Sequence, residues 1–157
     1  MISQANRKGN KKGGSVVLLA CSDTPLTTIY SDYFDGAEVL GFKIDTNTAC
    51  LILVIAYRLP HSTQALNELF LDLLSSFCST YRQVVVMGDF NYWQTDNHRN
   101  TTEAVIRENM ELLGTSQYIP GPTHIKGHTF DHIWAPPGML QLDSIEPCIC
   151  SVHSLLR

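Results

Sequence analysis

Five residues of this chain carry side chains suited to holding a cation, a water or a phosphate. Asp89 and Asn91 stand in "VVVMGDFNYW", where an apolar run ends at a glycine. In an extended segment residues two apart point the same way, so Asp89 and Asn91 share a face and Phe90 turns into the core. A carboxylate there holds a hard cation or orients a water, and a carboxamide donates to a phosphate oxygen. Alone, the tripeptide reads equally well as a polar turn after a strand. Tyr57 ends the apolar run "ACLILVIAY", where a phenol reaches a phosphate or simply sits as an amphipathic residue at a strand end. Asp131 lies inside "HTFDHIW". A carboxylate on a buried strand is costly unless paired or hydrogen-bonded, so Asp131 is expected to have a partner. His153, in "CSVHSLLR", would be a general base if an aspartate oriented it; by itself a structural histidine is the simpler reading. Trp93 directly follows the Asp-Phe-Asn stretch and either stacks on a base or holds the loop down.

These residues need a rigid frame. "GGSVVLLAC" predicts a strand over 15–21, and "AEVLGFKI" (37–44) with "TACLILVIAY" (48–57) predicts a hairpin turning at "DTN". The period then changes. Leu66, Leu69, Phe70, Leu73, Leu74 and Phe77 recur at helical spacing, with Asn67, Glu68, Asp72 and Ser75 on the opposite face and Ser62 or Thr63 as N-cap. "QVVVMGD" predicts a short strand buried on both faces. Residues 100–114 predict a helix stopped by Gly114, "IPGPTHIKG" a loop, 128–134 a strand and "LDSIEPCIC" another. This order predicts an α/β layered domain with a mixed sheet. His124, His128 and His132 recur every four residues, but Pro120, Pro122 and Gly127 argue against the helix that would stack them.

At 157 residues, with 44% hydrophobic and 17% charged side chains, the chain is one domain's worth, 1–157, with enough material for a core. The net charge of −4 hides an asymmetry: Arg7, Lys8, Lys11 and Lys12 all precede the first acid, Asp23, and the remainder stands at −8. The opening "NRKGNKKGG" either touches phosphates or is a solvated chain end, and the commonness of such ends favours the second. Five cysteines follow no framework spacing, and the start lacks the apolar stretch of a signal peptide. An intracellular chain, nuclear or cytoplasmic, with reduced thiols and no membrane segment is expected.

"VVVMGDFNYW", "YRLP", "PTHIKGHTFDHIW" and "SVHSLL" resemble, in that order, the motifs of the endonuclease/exonuclease/phosphatase superfamily. They are most similar to the endonuclease domain that precedes the reverse transcriptase in LINE-type (non-LTR) retrotransposons. The resemblance covers nearly the whole chain. It implies a two-sheet α/β sandwich flanked by helices and Mg²⁺-dependent phosphodiester hydrolysis, with Mn²⁺ as the alternative ion and DNA as the substrate. By that resemblance Asp89 and Asn91 contact the attacking water and the phosphate, Tyr57 bonds the phosphate, and Asp131 orients His153 as general base or phosphate contact. Asp89 would be the metal ligand.

Two departures weaken the expected activity. The family's closing Ser-Asp-His reads Ser151-Val152-His153, and an isopropyl group binds no cation. The family's first two strands, the second bearing the main metal-binding glutamate, have no match before Asp23, so an incomplete copy lacking those strands is expected. Glu38 falls at the wrong point in the order to replace that glutamate. The strand at 15–21 would then lack a neighbour, and self-association through an exposed sheet edge is expected. A non-catalytic remnant serving as an interaction module and a phosphatase acting on small phosphoesters are the alternatives.

Overall fold

A computed structural model describes residues 2–5, 16–34, 37–46, 49–60, 62–91, 101–147 and 154–156. Six strands form one mixed sheet in the order β3-β4-β5-β6-β8-β7: β3 (Leu26–Phe34), β4 (Ala37–Asp45), β5 (Cys50–Arg58), β6 (Val84–Asp89), β7 (Ser116–Gln117) and β8 (Asp131–Ala135). Among the described residues only β5 and β6 run parallel. The crossover between them is α1 (Gln64–Thr80), and α2 (Thr101–Leu112) follows β6. Two further pairs are antiparallel: β1 (Ile2–Ala5) with β2 (Val16–Leu19), and β9 (Ile145–Pro147) with β10 (Ser154–Leu156).

The two-residue alternation of β5 sorts the layers. Ile52, Val54 and Ala56 are buried with Phe70, Leu74, Val86, Phe90, Ile106 and Met110, which builds the helix-side core. Leu53, Ile55 and Tyr57 face the other way, onto Leu40, Phe42, Val16 and Leu18. The β1–β2 pair thus covers the second face, and the predicted layered α/β arrangement with a mixed sheet stands. The hairpin forms as expected, with Thr46 and Ala49 closing its turn by three hydrogen bonds of 2.9–3.0 Å. Thr63 is the N-cap of α1, its hydroxyl accepting from Leu66 N at 3.4 Å. Gly114 ends the second helix in the left-handed region at φ 77°.

Several expectations change. β3 adds a strand that the sequence pattern does not announce, because "LTTIYSDYF" alternates poorly: as an edge strand it keeps Thr27, Thr28, Ser31 and Asp32 in solvent. β2 spans 16–19 rather than 15–21, and it has a neighbour after all, since Ile2↔Leu19 through Ala5↔Val16 pair in register. The strand expected over 128–134 begins only at Asp131, because Thr123 and His128 first close a tight turn through Gly127. On α1, Leu69 is exposed and Asn67 is buried, the reverse of the simple amphipathic reading. His124 and His128 stack at 6.5 Å in the 120–130 loop, while His132 lies in the core against Phe90 and Trp134. Among the described residues no helix is long and apolar enough to cross a membrane.

Candidate active site

Strand register places three of the sequence-predicted residues in one row. Tyr57 on β5 is the parallel partner of Asp89 on β6, and Asp89 is the antiparallel partner of Asp131 on β8. Register partners project from the same face of a sheet, with neighbouring strands about 4.8 Å apart. A phenol and two carboxylates therefore stand side by side across three strands, each half-buried. The row continues onto β4, where Glu38 is the partner of Tyr57 and is fully buried. One Glu38 carboxylate oxygen, Oε2, accepts from Val16 N at 3.1 Å, fastening β2 to the main sheet. The sequence did signal this acid: it shares a face with Leu40 and Phe42, an unusual place for a carboxylate without a role.

Asn91 stands just beyond the row. It does not continue the extended alternation, because its φ is +49° and the strand ends at Asp89. Asp89 Oδ1 accepts from Asn91 N at 2.9 Å, a side-chain-closed turn of the sort Asp favours. Asn91 Nδ2 donates to Arg58 O at 2.9 Å, so one of the amide's two N–H bonds is engaged inward. Phe90 turns into the core as expected, edge-on to Phe70 with centroids 5.4 Å apart, and its N–H donates to Phe130 O at 2.9 Å. His153, Trp93 and Val152 lie outside the described residues.

The turn before β8 is held by a buried hydroxyl. Thr123 Oγ1 accepts from Phe130 N at 3.2 Å and from Asp131 N at 3.1 Å. Those bonds set where Asp131 enters the sheet and tie the Pro-Thr-His stretch to the start of β8. Asp131 is the first residue of β8 and only half-buried, so its desolvation cost is smaller than mid-strand burial would impose. On the far side of β8, Gln117 Nε2 donates to His132 Nδ1, which puts the histidine's own hydrogen on Nε2, and Gln117 Oε1 accepts from Ile133 N at 3.1 Å.

Gly88 lets β5 and β6 approach beside the row. A Cβ there would lie 1.8 Å from Ala56 O, and the residue's φ of +143° is one that L side chains rarely adopt. The glycine of the "MGD" stretch is thus dictated by the backbone contact that aligns Tyr57 with Asp89.

Asp89 and Asp131 opposite one another concentrate negative potential, which suits a cation better than an anion. Among the described residues no group of three His, Cys, Asp or Glu side chains gathers as a metal cage. The donor set fits an ion that takes one or two carboxylates and keeps water for the rest of its shell, as Mg²⁺ does.

No family model matches the chain and no curated protein matches it. Solved structures do. The endonuclease domain of TRAS1, a telomere-specific non-LTR retrotransposon, aligns at TM-score 0.74 and 16% identity over 98% of this chain and 75% of that one. An endonuclease/exonuclease/phosphatase family protein from Bacteroides thetaiotaomicron aligns at TM-score 0.57 and 12% identity, over 99% of this chain and 70% of that one. TDP2 from D. rerio, complexed with a single-strand DNA product, aligns at TM-score 0.60 and 12% identity, over 98% and 74%. At these identities the likeness is one of backbone, and it shows that the chain has the α/β fold of the endonuclease/exonuclease/phosphatase proteins, the retrotransposon endonuclease domain among them.

Proposed function

We propose that the chain carries the phosphodiester-hydrolysing site of a DNA endonuclease of the LINE type, working with Mg²⁺ or Mn²⁺ and of low activity. One observation carries the reading: the in-register row Tyr57–Asp89–Asp131, with Asn91 turned back beside it. Asp89 would hold the ion, with Asp131 adjacent. When bound, the ion supplies charge neutralisation at the phosphate and a more acidic water. Tyr57 and the second N–H of Asn91 donate to phosphate oxygens and orient the diester. His153, paired with Asp131 in the motif order, takes the proton of the attacking water. TDP2's DNA product and TRAS1's endonuclease activity support DNA as the substrate class. Val152 in place of an aspartate supports the low rate. Val17 and Leu19, exposed on β2, support a tendency to self-associate, read by light scattering against concentration.

The test is nicking of supercoiled plasmid in Mg²⁺ and Mn²⁺, alongside Mn²⁺ binding. Weak nicking is expected from the chain as it stands. Val152→Asp should raise it at least about tenfold by restoring a carboxylate, and Asp89→Ala on that background should remove it. Mn²⁺ binding should fall in Asp89→Asn. Strong nicking that survives Asp89→Ala, or Mn²⁺ binding indifferent to Asp89→Asn, overturns the reading.

A further inference from the structure

We propose that Arg58 is the positioning residue of the Asp89–Asn91 turn, a buried guanidinium that locks the turn to helix α1; its importance to chemistry rests on the function proposed above, but its geometry does not. Strand alternation sends Arg58 to the helix side of β5, behind Tyr57, in line with Ile52, Val54 and Ala56. It is 4% exposed. A guanidinium in such a layer keeps its place only through fixed hydrogen bonds, because desolvating it otherwise costs several kcal/mol.

Those bonds run in two directions. Arg58 Nε donates to Asn67 Oδ1 on α1 at 2.8 Å, and this bond explains the burial of a carboxamide that the helical pattern assigned to solvent. Arg58 Nη1 donates to Phe90 O at 3.0 Å and to Asn91 O at 3.5 Å. In return Asn91 Nδ2 donates to Arg58 O at 2.9 Å. The turn is therefore gripped by both the backbone and the side chain of one residue, while Asp89 Oδ1 closes it from within. Asn91 holds a left-handed φ of 49°, a region asparagine enters more readily than most non-glycine residues, and its bonds to Arg58 and Asp89 fix that conformation.

The planar fork is what makes arginine the fitting residue. Nε and Nη1 project at a fixed angle, so one edge of the group reads α1 and the other reads the turn. A lysine ammonium gathers its three donors at one nitrogen on a flexible stem and holds both partners less firmly. Tyr57 precedes Arg58 on the same strand and faces the opposite side, so the strand end that sets the phenol also sets the turn. Arg58 thereby fixes Tyr57, Asp89 and Asn91 relative to one another without touching a ligand.

The test uses the whole chain and three variants, Arg58→Met, Arg58→Lys and Asn67→Ala. Hydrogen exchange of the Asn91 amides is compared with that of Val54 and Val86 in the central strands, and Mn²⁺ affinity is measured by water-proton relaxation. Arg58→Met should raise Asn91 exchange about tenfold with the central strands unchanged, and lower Mn²⁺ affinity about tenfold. Arg58→Lys should restore part of both, and Asn67→Ala should shift both in the same direction as Arg58→Met. A folded Arg58→Met protein with wild-type Asn91 exchange overturns the proposal. If Arg58→Met does not fold, wild-type Asn91 exchange in Asn67→Ala overturns it instead. Wild-type Mn²⁺ affinity in Asp89→Asn would sink the metal reading alone, leaving the exchange comparison to decide the role of Arg58.

Discussion

Replacing Gly88 with alanine adds one methyl group at the place where two strands meet most closely. The new Cβ would fall 1.8 Å from Ala56 O, 2.8 Å from Ala56 C and 3.1 Å from Ala56 N, all of them backbone atoms in the adjacent parallel strand. No side-chain rotation relieves such a contact. Either Gly88 abandons its φ of +143° or β5 and β6 separate locally. Holding alanine in that backbone region costs about 1–3 kcal/mol. Parting the strands gives up one or two ladder hydrogen bonds at about 1 kcal/mol each. Where the strands part and alanine keeps that φ, both costs apply and the loss is about 2–5 kcal/mol, roughly 10 °C in Tm for a domain of this size. Gly121→Ala is the control, since its Cβ meets nothing within 4 Å and its φ lies outside the disfavoured region; that change should stay within about 0.5 kcal/mol. Urea unfolding followed by circular dichroism gives both values, with an unchanged m-value confirming a common unfolded state. Mn²⁺ affinity should fall in Gly88→Ala as well, because Asp89 follows directly. A Gly88→Ala protein within 1 kcal/mol of the parent would refute the claim that close approach at Ala56 dictates this residue.

Three further outcomes follow from the same geometry. Phe90→Ala empties a fully buried site between Phe70 and His132 and should cost about 3–5 kcal/mol in urea unfolding; a loss under 1 kcal/mol would mean that the turn is not anchored by its aromatic residue. The Tyr30 phenol is raised above its ordinary 10.0 first by burial and then by the Asp32 carboxylate. The folded state therefore favours the neutral phenol, and its contribution is fully present below pH 10.0 and lost as the pH climbs past the raised value. Tyr30→Phe keeps the ring edge-on to Phe77 and should flatten the alkaline loss of stability; identical slopes above pH 10 would contradict this. Burial also pushes the Cys78 thiol up, whereas Cys21 and Cys50 are exposed, so iodoacetamide at pH 8 with peptide mapping should label Cys78 the slowest of the three.

Much of the frame was legible in the sequence because local periodicity reports local burial. The apolar run of 48–57 as the second arm of a hairpin, the helical stripe from Leu66 to Phe77 save for Leu69, the Thr63 cap and the Gly114 stop all survive in the structure. The Gly-Asp-Phe-Asn stretch also announced a strand end with its aromatic turned inward. What periodicity cannot report is which segment pairs with which, or which polar residue finds a partner in the core. β3 carries no legible sequence pattern because an edge strand buries too little to show one. The helical pattern assigns Asn67 to solvent because its partner, Arg58, lies in another element, and the bond between them joins side chains that no spacing rule relates. Tyr57, Asp89 and Asp131 became neighbours only when long-range pairing set the register of three strands. That register is decided by the fit of whole faces, the close approach at Gly88 and the buried hydroxyl of Thr123 among them, so only the folded chain could reveal the row.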